Sequence, residues 1–107
     1  IITSGVSPKD FVTNEWAVGM HDQALMCLKN IQTILETAGA TLEDLISIEV
    51  YINDVRWYKE FNDVWNEFFA DVKCPPTRST FQLGLLAPNM HIEMRAYAVK
   101  NTKYVEE

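Results

Sequence analysis

The chain has 107 residues, of which 48% are hydrophobic and 22% charged, as expected of one globular domain with its own core. Its net charge is −6 and no cluster of lysine and arginine is visible, so we predict no binding to nucleic acid or to an anionic membrane. The sequence holds no apolar run of transmembrane length and no signal peptide with a basic start, and we therefore expect a cytoplasmic protein.

The cysteines and histidines indicate no metal site. Cys27 and Cys74, like His21 and His91, match no metal-ligand spacing. Cys27 lies in a helical pattern, which is typical of a small apolar core residue. A reducing compartment fits this cysteine usage, and a disulfide between the two remains an open alternative.

Two helices are predicted from apolar residues that recur at three- and four-residue steps. The first covers 20–38, and Gly39 stands where a helix stop is expected. The second covers 57–69, and Asn53 or Asp54 can cap its start. Its apolar stripe is aromatic, which is typical of a core or a subunit interface and not of a cofactor site. The stripe consists of Trp57, Phe61, Val64, Trp65 and Phe68.

Four extended segments complete the chain. Residues 1–5 read as a strand that ends at Gly5 and begins abruptly, so we expect that the given sequence starts inside the first hairpin and that a first strand is missing. Alternation of apolar and polar residues predicts half-buried strands over 46–52, 78–83 and 90–99, the last two as a hairpin. Residues 101–107 are polar and are predicted to form a loose tail.

The predicted order is strand, helix, strand, helix, strand, strand, within one domain over 1–107. Two helices can cover only one face of a sheet, so the other face needs a partner and favours an oligomer. We expect the polar side of the strands, with Thr80, Gln82, Glu93 and Arg95, near that subunit boundary, where small-ligand sites are common.

Arg78 and Glu93 are the candidate functional residues. Two prolines give Arg78 a stiff, extended lead-in, and the predicted hairpin would hold Arg78 near Glu93. The planar guanidinium fork suits a carboxylate ligand, and a glutamate can accept a proton or orient water. Spacing alone favours the alternative that both residues form an exposed ion pair or face solvent.

Short blocks in order along nearly the whole chain match a known family. They are Ile1-Ile2-Thr3-Ser4-Gly5, Gln23-Ala24, Ala38-Gly39-Ala40, Phe61-Asn62, Phe68-Phe69, Pro76-Thr77-Arg78-Ser79 and Ile92-Glu93. Together these blocks resemble the RidA/YjgF family of small enamine/imine deaminases. The Pro-x-Arg-Ser block followed by a late glutamate is the most specific part.

The resemblance implies an α+β fold similar to chorismate mutase of the bacterial trimeric type, with a mixed sheet and two helices on one face. It implies a homotrimer with a central barrel, sites in the clefts between subunits, and hydrolysis of 2-aminoacrylate-type enamines and imines to 2-keto acids and ammonia without a cofactor. It assigns the substrate carboxylate to Arg78, the orientation of water to Glu93, and further substrate contacts to Ser4, Gly5 and Thr80.

The chain departs from the family pattern at three places. Thr80 stands where a cysteine is frequent, which is tolerable if that position acts through its backbone N–H. The basic residue usual in the following loop is absent from the stretch at 85–88, and an N-terminal Gly-Pro-Tyr segment would precede Ile1. These departures keep open a second hypothesis, a non-catalytic protein that binds a 2-keto acid or an amino acid.

A third hypothesis, a ribonuclease, follows from an activity reported for some relatives. The acidic balance and the lack of a basic, aromatic-lined groove argue against it. A serine nucleophile at Ser4 is not expected either, because no Ser-His-Asp arrangement is visible.

Overall fold

The structure is a computed structural model that describes residues 1–84, 87 and 89–100. Most of the predicted 85–88 loop and the predicted tail at 101–107 lie outside the described residues. The elements are the helices α1 (Met20–Thr37) and α2 (Tyr58–Phe68) and the strands β1 (Leu45–Ile52), β2 (Thr77–Gln82) and β3 (Ile92–Ala98). No helix in the described part of the chain combines the length and the apolar character needed to cross a membrane.

The ends of the helices follow the predicted signals. Gly39 adopts a φ of 80° after α1, and the N–H groups of Gly39 and Ala40 bond back to the carbonyls of Glu36 and Leu35. This is a Schellman stop, and the left-handed residue in it favours glycine. Asp54 caps the short 3-10 turn that leads into α2, because its Oδ1 accepts the N–H of Arg56 at 2.9 Å.

The sheet is mixed, with β1 in the centre, β2 parallel to it on one side and β3 antiparallel on the other. The predicted hairpin of β2 and β3 is therefore wrong. Helix α2 carries the chain back across the sheet, so that β2 can join β1 in parallel. β1 is also the strand best suited to the centre, because Ile48, Val50 and Ile52 are almost fully buried.

Both helices pack against the same face of this sheet, which we call the helix face. It carries Ile48 and Val50 of β1 and, beside them in register, Met94 and Ala96 of β3. The opposite face, the open face, has no helix among the described residues. It carries Ser47, Glu49, Tyr51, Ser79, Phe81, Glu93, Arg95 and Tyr97.

Register corrects one predicted grouping. Thr80 lies beside Val50 and Gln82 beside Ile52, so both belong to the helix face. Glu93 and Arg95 belong to the open face. Strand alternation was predicted correctly for each strand alone, but the four residues do not share one side of the sheet.

Candidate functional site

A pocket of about 460 Å³ opens on the open face of the sheet. We call it the glutamate pocket, and its lining residues are Ser4, Gly5, Tyr51, Leu83, Glu93 and Arg95. It brings together three of the five predicted site residues, namely Ser4, Gly5 and Glu93. A pocket of this volume is in the range that small-molecule ligands occupy.

The segment that carries Ser4 and Gly5 runs along the outer edge of β3. It is bridged to β3 at Ile2 with Tyr97 and at Val6 with Met94. Four steps on the N-terminal segment thus match three on β3, which is the signature of a β-bulge. The predicted strand at 1–5 is therefore an interrupted edge segment.

The bulge leaves main-chain donors free. The N–H of Thr3 bonds to Ala96 O at 3.0 Å and that of Val6 to Met94 O at 2.6 Å. Between them, the N–H groups of Ser4 and Gly5 have no hydrogen-bond partner among the described residues. Two free N–H groups beside a pocket can hold a developing negative charge or a polar ligand atom.

Gly5 allows the Glu93 carboxylate to approach the main chain closely. A Cβ at position 5 would lie 2.7 Å from Glu93 Oε1 and 2.9 Å from its Cδ. Any side chain at position 5 would therefore displace the carboxylate from its present place. Glu93 is half-buried, and within the described ranges its carboxylate has no hydrogen bond or ion pair, which leaves it available to water or a ligand.

Arg78 lies on the other face. Its side chain reaches α2, where one guanidinium nitrogen donates to Asn62 Oδ1 at 2.8 Å and the other to Tyr58 Oη at 2.9 Å. The guanidinium carbon lies 5.1 Å from the ring centres of both Phe61 and Trp65. These contacts fix the fork while leaving three of its five N–H donors unused.

One chain does not bring Arg78 and Glu93 together, so their predicted proximity is wrong within a protomer. The register places Arg78 beside Ile48 on the helix face and Glu93 beside Tyr51 on the open face. Thr80 follows Arg78 on the same face of β2. The predicted site residues therefore fall into two groups, the glutamate pocket and an arginine edge made of Arg78 and Thr80.

A polar network that the sequence analysis missed adjoins the pocket. Glu49 accepts hydrogen bonds from the hydroxyls of Tyr51 and, at 2.8 Å, Tyr97. These bonds lower the pKa of Glu49, and the bond to Glu49 raises the pKa of Tyr51 to about 12. The alternation of β1 places Glu49 and Tyr51 on one face, but only the register of β1 with β3 reveals Tyr97 and Arg95 beside them.

Cys27 occupies the place in the core that its helical pattern predicts. Cys27 is fully buried, its thiol donates to Val6 O at 3.4 Å, and burial raises its pKa strongly, so it is a core residue as predicted. Both cysteines are free thiols. Within the described ranges, no group of three or more His, Cys, Asp or Glu side chains is arranged to hold a metal ion.

Known proteins with this sequence pattern share the fold. A family model described as Endoribonuclease L-PSP matches residues 1–100. TdcF of Escherichia coli K12, which carries a provisional name as a reactive intermediate deaminase, is 32% identical over 102 residues, covering 94% of this chain and 79% of TdcF. A RutC family protein of Aquifex aeolicus is 32% identical over 96 residues, covering 90% of this chain and 74% of the relative.

Solved structures give the same answer. Escherichia coli TdcF with bound serine superposes with a TM-score of 0.87 at 33% identity, covering 94% of this chain and 80% of that one. The Escherichia coli YjgF gene product gives a TM-score of 0.87 at 30% identity, with the same coverage of 94% and 80%. The predicted α+β fold with a mixed sheet and two helices on one face is confirmed. The chain belongs to the Endoribonuclease L-PSP family, which is the RidA/YjgF family of the sequence analysis.

Proposed function

We propose that this protein hydrolyses reactive 2-aminoacrylate-type enamines and imines to 2-keto acids and ammonia. The observation that carries the proposal is the Glu93 carboxylate, held against Gly5 beside two free main-chain N–H groups in a ligand-sized pocket. The family includes a relative named as a reactive intermediate deaminase, which supports the same class of chemistry.

The proposed reaction needs a base, a carboxylate anchor and no cofactor. The enamine tautomerises to the imine, whose carbon is already electrophilic. Glu93 accepts a proton as water adds to that carbon, and the proton then goes to nitrogen. As the C–N bond of the resulting carbinolamine breaks, Glu93 takes the proton of the new hydroxyl group and passes it to nitrogen, so that ammonia leaves and the 2-keto acid remains. The N–H groups of Ser4 and Gly5 contribute hydrogen bonds to the polar atoms of the substrate.

The carboxylate anchor is Arg78 of a neighbouring copy, and we propose a homotrimer with sites between subunits. Arg78 and Glu93 lie on opposite faces of the sheet, on the strands that flank β1 on either side. A second chain could place its Arg78 beside the Glu93 of the first. The open face also leaves Phe81 and Leu83 exposed to 49% and 42%, which favours burial against another copy.

Thr80 completes the arginine edge in this proposal. It follows Arg78 on the same face of an edge strand, and the outer side of β2 has no strand partner among the described residues. Acting through its backbone, this position would serve a ligand equally well with threonine or cysteine. We therefore expect Thr80→Cys to change kcat/KM only modestly, and a large gain in rate would show that the side chain takes part.

A protein that binds a small carboxylate without turnover is the second candidate. The observation that favours it is the solved structure of the relative TdcF, which contains bound serine. Arg78 would serve this function equally well, whereas a base positioned like Glu93 is needed only for hydrolysis. A ribonuclease function is disfavoured by the net charge of −6 and by the two carboxylates, Glu49 and Glu93, on the open face.

The test couples a threonine dehydratase to the protein and follows decay of the released enamine and imine against the 2-keto acid formed. Wild type should accelerate the decay. Arg78→Ala should lower kcat/KM by about 30-fold to several thousand-fold, because a charged hydrogen-bond pair is worth about 2–5 kcal/mol. Arg78→Lys should also have a low kcat/KM, since the point charge of lysine cannot make a bidentate contact with the carboxylate.

Arg56→Ala is the matched control for loss of an arginine. The Arg56 side chain is 81% exposed and, among the described residues, pairs only with Asp54, so this variant should keep wild-type kinetics. Because Arg78 packs on aromatic rings, thermal unfolding and light scattering must accompany its variants. Equal activity of Arg78→Ala and wild type would contradict the proposed anchor.

The variant Glu93→Gln distinguishes the hydrolase hypothesis from the hypothesis of a non-catalytic binding protein. The amide cannot take the proton from water, so turnover should be lost while 2-ketobutyrate, measured by calorimetry, still binds. If wild type leaves the imine decay unchanged but binds 2-ketobutyrate through Arg78, the binding function is correct. Cleavage of RNA that survives in both Arg78→Ala and Glu93→Gln would point to a different site altogether.

A further inference from the structure

Arg95 places a guanidinium in the glutamate pocket, and none of its N–H donors has a partner among the described residues. It lines the same pocket as Glu93 and lies two residues further along β3 on the same face, with the two Cα atoms about 7 Å apart. Its guanidinium carbon lies 5.5 Å from the ring centre of Tyr97. In the described part of the chain, that side chain makes no hydrogen bond and no ion pair.

The missing ion pair is unexpected, because a carboxylate lies directly across the sheet. Glu49 is the cross-strand partner of Arg95, and opposite charges at such positions stabilise a sheet. Here the hydroxyls of Tyr51 and Tyr97 occupy the two oxygens of Glu49 instead. Each oxygen of Glu49 thus already has a hydroxyl donor, and the five N–H donors of Arg95 have no hydrogen-bond partner among the described residues.

We propose that Arg95 binds a second carboxylate on the substrate, and that the preferred substrates are 2-imino dicarboxylic acids. This inference rests on the proposed hydrolysis. Arg78 of the neighbouring copy takes the carboxylate next to the imine carbon, and Glu93 faces the attacking water. The side-chain carboxylate then points along β3 toward Arg95.

Charge supports this assignment. A side-chain carboxylate that entered this pocket without Arg95 would meet Glu93 and the nearby Glu49 with no compensating cation. Arg95 supplies that cation, and the planar fork suits a bidentate contact with a carboxylate. The chemistry is unchanged: water adds to the imine carbon, the C–N bond breaks, and ammonia and a 2-keto dicarboxylate are released.

The test compares two imines generated in place. A flavin amino-acid oxidase acting on aspartate supplies 2-iminosuccinate, and threonine dehydratase supplies 2-iminobutanoate. The readout is the ratio of the two kcat/KM values, dicarboxylic over monocarboxylic. Wild type should favour the dicarboxylic imine. Arg95→Gln should lower the ratio by at least about 30-fold, Arg95→Lys should restore part of it, and Arg56→Gln should leave it at the wild-type value.

The possible outcomes are distinct. A wild-type preference for the monocarboxylic imine, or an equal loss on both imines in Arg95→Gln, overturns the role of Arg95 and leaves the hydrolysis intact. An equal loss would mean that Arg95 serves only to balance the charge of Glu49. Acceleration of neither imine by wild type overturns the hydrolysis and this inference together. A ratio that collapses in Arg95→Gln and recovers in Arg95→Lys supports the proposal.

Discussion

Replacing Gly5 by alanine should displace the Glu93 carboxylate from its place in the glutamate pocket. The added Cβ would lie 2.7 Å from Oε1, whereas ordinary van der Waals contact begins at 3.4 Å, so the oxygen has to retreat by about 0.7 Å. A misplacement of about 1 Å at a reacting centre costs about 100-fold in rate. We therefore expect kcat/KM to fall roughly 10- to 100-fold, or about 1.4–2.7 kcal/mol in activation free energy.

Gly84→Ala is the matched control. A Cβ at Gly84 meets no atom of the described residues within 4 Å, so it changes the chain entropy as the Gly5 variant does without touching any of them. Neither glycine has the positive φ that would strain an alanine. Both variants should therefore stay within about 1 kcal/mol of the wild-type free energy of unfolding.

The assay is the coupled decay of 2-iminobutanoate, with 2-ketobutyrate binding measured in parallel. Gly5→Ala should lose turnover while retaining most of its affinity for the keto acid, because Arg78 is untouched. Wild-type kcat/KM in Gly5→Ala would refute the reasoning, since it would mean that the position of the Glu93 carboxylate does not limit the reaction.

Three further predictions concern the surroundings of the site. The pKa of Tyr51, followed by phenolate absorbance, should lie near 12 in the wild type and return toward its ordinary value of 10.0 in Glu49→Gln. Because the folded state raises this pKa, the hydrogen bond of Tyr51 should stabilise the fold below pH 10, and this stabilisation should be lost between about pH 10 and 12. Asn62→Ala should raise KM about tenfold by loosening Arg78, and an unchanged KM would contradict that role. Light scattering should give the molar mass of a trimer for the wild type and a smaller mass for Phe81→Asp, because Phe81 is exposed on the isolated chain. A monomeric wild type would contradict the proposed site between two chains.

The parts of the fold that sequence predicted are those set by local periodicity. The stripe of α1, the stop at Gly39 and the alternation in each strand depend on residues close together in the chain. Pairing between strands does not. The short sequence interval between β2 and β3 suited a hairpin. In the structure both strands instead flank the apolar strand β1 and form their hydrogen bonds with it.

The candidate site was predictable in composition and not in arrangement. The resemblance pointed to Ser4, Gly5 and Glu93, and the structure places these three in one pocket. It also pointed to Arg78, which register sends to the opposite face. The sequence indicated nothing about Arg95 beyond its place in the alternation of β3. Its proposed role depends on the hydrogen bonds that Glu49 accepts from two tyrosines, and these become visible only in the structure.

The open face carries both a polar network and exposed apolar side chains. Within one chain, Glu49 already accepts hydrogen bonds from two hydroxyl groups. Glu49 therefore needs no partner from a second chain. An exposed apolar surface that favours association lies instead on the β2 side, where Phe81 stacks on Tyr51 and remains half-exposed. In the trimer that we propose, contact at that edge would also bring Arg78 to a neighbouring copy, so that assembly and completion of the proposed site would depend on the same strand.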